Sequence, residues 1–126
     1  MPAKKLPRIF AGRLRKFARP YVEDLVKSDY QVGCPIGNAA IDAAANSASV
    51  RLVCDQIFDS WEKLIANGLI GAGFEKKQAA GLAELMLASF EGALILCRAR
   101  KTTKPLTNLS QQMEVVLSKS KKKGRG

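Results

Sequence analysis

No histidine occurs anywhere in the 126-residue chain. Its absence removes the Ser–His and Cys–His nucleophile pairs, the usual proton carrier at neutral pH and the commonest metal ligand. Cysteine is scarce. Cys34, Cys54 and Cys97 are odd in number, widely spaced and free of any Cys-x-x-Cys pattern, so neither a disulfide scaffold nor a zinc site is expected. They read as small buried hydrophobes of a reducing compartment. Cys34, beside a proline and a turn, carries the alternative reading of a redox-sensing thiol. The five prolines and ten glycines gather into no linker, and one folded domain is expected. Long apolar runs are missing too: the best stretch, Leu85 to Cys97, is cut by Glu91 and falls short of the ~18 residues of a membrane span. The basic N-terminus lacks the apolar segment of a secretory signal. A cytoplasmic protein without membrane contact, metal or cofactor is expected.

Acidic residues are in deficit, but only at the ends. The net charge of +10 divides into +6 over residues 1–27, −4 over 28–97 and +8 over 98–126. Basic ends can neutralise phosphates without reading sequence, whereas a like-charge block such as Lys119 to Arg125 is more often a solvated tail. The expected organisation is a flexible basic N-terminus over 1–7, an all-α domain over 8–118 and a disordered basic tail over 119–126. One functional alternative follows from charge alone: a small basic helical protein that binds nucleic acid non-specifically through both ends.

What the sequence does have is helical periodicity. Phe10, Leu14, Phe17, Tyr21 and Leu25 step by three and four, marking the stripe of an amphipathic helix. Pro20 inside it predicts a kink or two helices meeting. Pro35 opens a short alanine-dense helix over Ile36 to Ala45, since a missing N–H costs nothing in a first turn. Ser47 is an N-cap, and a long helix from Ala48 carries Cys54, Ile57, Trp61, Leu64 and Ile65. It frays in the glycine-rich stretch Gly68 to Gly73. Lys76 to Arg100 is a second long helix, apolar nearly all round, which requires more than one buried face. Pro105 starts a last helix.

One face of the second long helix carries Ala83, Met86, Leu87, Phe90, Leu94 and Cys97. Another carries Ser89, Gly92, Ala93 and Leu96, small enough for a neighbour to come close. With Leu106, Leu109, Met113 and Val116 of the last helix this face predicts a seam, in which two helices from each of two chains form a four-helix bundle. Phe58, Trp61, Met86 and Phe90 are large side chains on the two long helices, with Glu91 a lone polar group nearby. They describe either an apolar ligand cavity or a plain core, and periodicity does not separate the two. The sequence shows no catalytic constellation. Asp55, Asp59 and Glu62 share a helix face, but their alternation with the apolar stripe marks them as solvated. No enzyme is expected.

The turn Gly33-Cys34-Pro35-Ile36-Gly37-Asn38 resembles the one that begins the short central helix in a branch of the TetR/AcrR family of transcriptional regulators. Phe58-Asp59-Ser60-Trp61 is similar to that branch's F-x-x-W helix, and Leu87 to Arg100 to its E-G-A-L dimerisation helix. Order and spacing both match over roughly Phe17 to Leu117. The resemblance implies a five-helix all-α C-terminal domain that binds a small hydrophobic effector and dimerises through its last two helices. Effector binding then controls the spacing of two DNA-reading heads. Gly33, Cys34, Pro35 and Asn38 would be the structural turn. The family's helix-turn-helix does not precede Phe17 here. DNA is therefore expected to be met through a reading head outside this sequence, or non-specifically through the basic ends. The dimer would be a homodimer or a heterodimer with a complete paralogue.

Overall fold

A computed structural model describes residues 6–120, with side chains from Gly12 onward. Its five helices are α1 (Leu6–Lys27), α2 (Pro35–Asp42), α3 (Ala48–Gly71), α4 (Lys76–Arg100) and α5 (Lys104–Lys119), and no strand forms among the described residues. The domain is all-α, as the periodicity predicts. The expected ends over 1–7 and 119–126 fall largely outside the described residues, as does the side chain of Phe10.

Local chemistry sets most boundaries. Ser47 Oγ accepts the Val50 N–H at 3.2 Å and starts α3. The glycines at 68 and 71 do not stop α3 early; it runs on until Gly73 takes φ 106°, a left-handed conformation suited to glycine, and Phe74 N–H returns to the Leu69 carbonyl at 3.1 Å. Pro105 sits in the first turn of α5. Two expectations differ. α1 passes through Pro20 as one helix, so two helices do not meet there. α2 stops at Asp42 rather than Ala45, with Ala43 closing it through a bond to the Ala39 carbonyl.

Helix α4 is the centre. By length and composition it could cross a membrane, with a mean hydropathy of 1.6 over its most apolar window, a property that the interruption at Glu91 had obscured. Here it is the inner helix of a bundle, burying Ala79, Ala83, Met86, Leu87, Phe90, Ala93, Leu94 and Cys97. Met86 joins Leu69, Phe74 and Ala79 with Met113 and Leu117 of α5. Phe90, Leu94 and Cys97 join Ala18 and Leu25 of α1, Cys34, and Leu106 of α5. Each large side chain so buried contributes about 1.5–3 kcal/mol, against roughly 0.5–1 kcal/mol lost at each helical glycine. Packing decides the matter.

This arrangement corrects part of the expected seam. Leu106 and Met113 are 5% and 3% exposed, and Ala93 is 6% exposed, all covered within the same chain. The α5 stripe meets α1 as well as α4, so Leu106 and Met113 are covered within the same chain.

Two charged residues of α4, seven apart and so on one face, hold the 33–38 turn. Arg98 donates to the Gln31 carbonyl at 2.9 Å and to Asn38 Oδ1 at 3.4 Å. Lys101 pairs with Asp29 at 3.1 Å. Cys34 Sγ accepts the Gly37 N–H and caps α2. Glu91 lies against Gly37 so closely that a Cβ there would collide with Oε1, and a Cβ at Gly33 would press the Arg98 chain. The turn needs its glycines because α4 reaches across it.

Gly37→Ala is therefore expected to destabilise the fold by about 1–3 kcal/mol. Gly81, exposed on α4 with no atom within 4 Å of an added Cβ, should behave oppositely: Gly81→Ala is expected to gain roughly 0.5–1 kcal/mol. Denaturant unfolding of both variants checks the pair, and equal effects would contradict the packing described. Burial also holds the Glu91 carboxyl above its ordinary range, opposed by a hydrogen bond with the Cys34 thiol. A carboxyl whose pKa rises on folding binds its proton more tightly in the native state. Its contribution to stability then falls as pH climbs from the ordinary carboxylate value to the raised one. Glu91→Gln removes that loss, so its thermal midpoint should gain on the natural chain as pH rises through this window. A difference independent of pH would contradict it.

Candidate functional site

Helices α1, α3 and α4 do not close fully on one another. Between them lies a cavity of about 540 Å³, within the range of small-molecule sites. From α1 come Arg13, Leu14 and Phe17; from α3, Trp61, Leu64, Ile65, Asn67 and Gly68; from α4, Met86, Leu87 and Phe90. Its inner wall is buried, Phe90 at 2% and Met86 at 4% exposure, while Leu64 at 73% and Phe17 at 43% stand where it opens to solvent. Phe17 is the hinge of an aromatic cluster. Its ring centroid lies 5.2 Å from that of Phe90 and 6.0 Å from that of Trp61, both edge-to-face, an arrangement that aligns positive ring edges with negative faces.

Three of the five residues expected at a ligand cavity, Trp61, Met86 and Phe90, line this one. Phe58 stands behind Trp61, edge-on at 5.7 Å, and supports the indole from outside the wall. Glu91 points elsewhere: it follows Phe90 on the helix and is turned by that single step of about 100° toward Cys34 and Gly37. There, with Asn38 and Arg98, it borders a second hollow of only about 50 Å³. The contribution of α1 was missed. Leu14 and Phe17 were legible as an apolar stripe, but a stripe does not reveal whether it fills a core or borders a space.

The outer face of α4 and α5 is different in kind. Ser89, Gly92, Leu96 and Leu109 border a shallow groove with Asn108 and Gln112. Leu96 is 41% exposed, Val116 37% and Ile95 53%. Nothing lies within 4 Å of a Cβ built at Gly92. Of the eight residues expected at a dimer seam, Ser89, Gly92, Leu96, Leu109 and Val116 thus remain at least partly accessible.

The remaining chemical candidates are quiet. Burial pushes the Cys34 thiol up, with a smaller opposing effect of the Gly37 N–H, and burial raises Cys97 too; neither is biased toward the reactive thiolate. Glu62 is raised, first by partial desolvation and then by Glu84, Asp59 and Asp55, while Lys63 bridges to Asp59 at 2.7 Å on the exposed side of α3. No cluster of three metal-ligating side chains occurs among the described residues.

Over residues 11–112 the chain matches the family described as "Transcriptional regulator LmrA/YxaF-like, C-terminal domain". It is 33% identical over 87 residues to the uncharacterized HTH-type transcriptional regulator YxaF of Bacillus subtilis, covering 69% of this chain and 46% of that protein. An uncharacterized HTH-type transcriptional regulator of Mycobacterium tuberculosis is 29% identical over 102 residues, with 77% and 53% covered. Another, of Lactococcus lactis, is 30% identical over 93 residues, with 73% and 46% covered. The chain spans about half the length of the curated relatives it matches. No solved structure matches it. Five helices, a glycine turn clasped by the central helix and a match over most of the sequence agree: the chain belongs to the TetR-type transcriptional regulators, as an LmrA/YxaF-like C-terminal domain.

Proposed function

We propose that this domain senses a small hydrophobic effector in the cavity between α1, α3 and α4 and pairs with a second copy through the outer face of α4 and α5, so controlling DNA binding by the regulator to which it belongs. The observation that carries the reading is the cavity itself. A domain with a plain core would draw Phe17, Trp61 and Phe90 together until the space vanished, since unfilled apolar volume costs contacts on every wall. Here about 540 Å³ stays unfilled beside the aromatic cluster. A ligand there touches α1 and the central helix at once, which gives it a mechanical hold on both.

Trp61, the single tryptophan, reports the site. An uncharged planar probe such as 9-hydroxymethylanthracene is expected to quench it saturably at micromolar concentration, about −8 kcal/mol of binding. Leu64→Glu, at the exposed rim, should weaken that binding at least several-fold without unfolding the chain. An indole that responds to no probe in either protein would reduce the cavity to loose packing.

For dimerisation the informative position is Gly92, not the buried Ala93. An arginine there has room within its own chain but would stand in the groove that a partner must fill. Gly92→Arg is expected to sediment as a folded monomer where the natural chain sediments as a dimer. A dimer in both would move the interface to another face.

A further inference from the structure

We propose that the small hollow between the 33–38 turn and α4 is a hydration site, in which a bound water joins the Glu91 carboxyl to Arg98 and Asn38. The inference is independent of the effector cavity and concerns the clasp on the turn.

The observation that opens it is a single oxygen. The Glu91 carboxyl shares a hydrogen bond with the Cys34 thiol, and its Oε1 lies against Gly37. Its Oε2 is shut off from solvent and has no hydrogen-bond partner among the described residues. Buried polar atoms are nearly always paired, and a lone one marks a place where a water or an ion completes the set. The hollow of about 50 Å³ lies beside this carboxyl, bordered also by Asn38, Leu94 and Arg98. A single water requires roughly 10–15 Å³ of such space. There is room for it.

The same hollow supplies donors. Arg98 gives one N–H to Asn38 Oδ1 at 3.4 Å and one to the Gln31 carbonyl at 2.9 Å, out of the five that a guanidinium carries. Asn38 turns its oxygen to Arg98, so its amide nitrogen keeps two N–H groups to offer. Arg98 Nη1 and Asn38 Oδ1 lie together, 3.7 and 3.8 Å from a Cβ built at Gly33. A water that accepts from this pair and donates to Oε2 has the polar partners, about two to four, that an ordered water needs. Sign and polarity select water over other occupants. A cation would meet the Arg98 charge, an anion would meet the carboxylate, and an apolar group would leave Oε2 unpaired. Water suits both states of the carboxyl, donating to it when ionised and accepting from it when protonated. Through that bridge the clasp becomes one connected network from Cys34 to Gln31.

The test uses the full 126-residue chain. Leu94 borders the hollow and is only 2% exposed, so its methyl groups sense a bound water rather than the bulk. Cross-relaxation between water and these methyls, read in the laboratory and rotating frames, is expected to show a bound water in the natural chain. A high-resolution crystal structure should place it within hydrogen-bond distance of Oε2 and of Arg98 or Asn38. Glu91→Gln keeps a polar atom at that position and should keep the signal, whereas Glu91→Leu should lose it. Absence of the signal in the natural chain, or a direct bond from Arg98 to Oε2, would overturn the proposal. An undiminished signal in Glu91→Leu would overturn it too, since the water would then owe nothing to the carboxyl. The natural chain decides by itself should the leucine variant fail to fold.

Discussion

A helix apolar nearly all round needs cover on more than one face, and α4 imposes that demand on the rest of the domain. Three neighbours answer it. α3 and α5 pack along its length, and α1 closes over Phe90 while also lying on α5. The 33–38 turn packs against its C-terminal half, and the outer face with Gly92, Ile95 and Leu96 stays open. The hydrophobic effect fixes that these surfaces meet but not how. Direction comes from the few polar groups on α4, since Glu91 and Arg98 reach out of the same face and find their partners in that turn. Burial supplies the energy, and two charged side chains supply the register.

Much of this was written plainly in the chain. The helix starts at Pro35, Ser47 and Pro105 rest on local chemistry, and local chemistry survives folding unchanged. The inner face of α4, from Ala83 to Cys97, was legible because six apolar residues at helical spacing leave no other orientation. The family resemblance at the turn and at the central helix also proved sound. Partner identity was less legible. Leu106 and Met113 form a stripe that suits any helix, and an amphipathic pattern does not say whether its complement lies in the same chain or in another. Here Leu106 and Met113 find that complement within their own chain. Glu91 was misplaced for a related reason: proximity in sequence to Phe90 was read as proximity in the site, whereas adjacent helical residues face different directions.

The cavity shows where pattern reading ends. Trp61, Met86 and Phe90 were recognised as large residues on facing helices, and that description is the same for a full core and for a hollow one. What separates the two is a difference of a few ångströms in how closely α1 approaches, with Leu14 on one side of the opening and Phe17 bridging it. Such a distance is a property of three helices together and is stored in no single segment. Ligand sites built on bundles have this character: the residues are ordinary core residues, and the space is the functional element.

The clasp at the turn has a consequence for how such a domain can change over generations. Gly37 and Glu91 occupy one volume between them, so position 37 is not free to vary by itself. A methyl group acquired at 37 before the carboxylate at 91 is shortened meets a collision, whereas the reverse order passes through a chain with spare room. Substitution at these two places is therefore ordered in time as well as coupled in space. Within this family, a descendant that carries a side chain at the glycine is expected to descend from an ancestor that had already given up the acid.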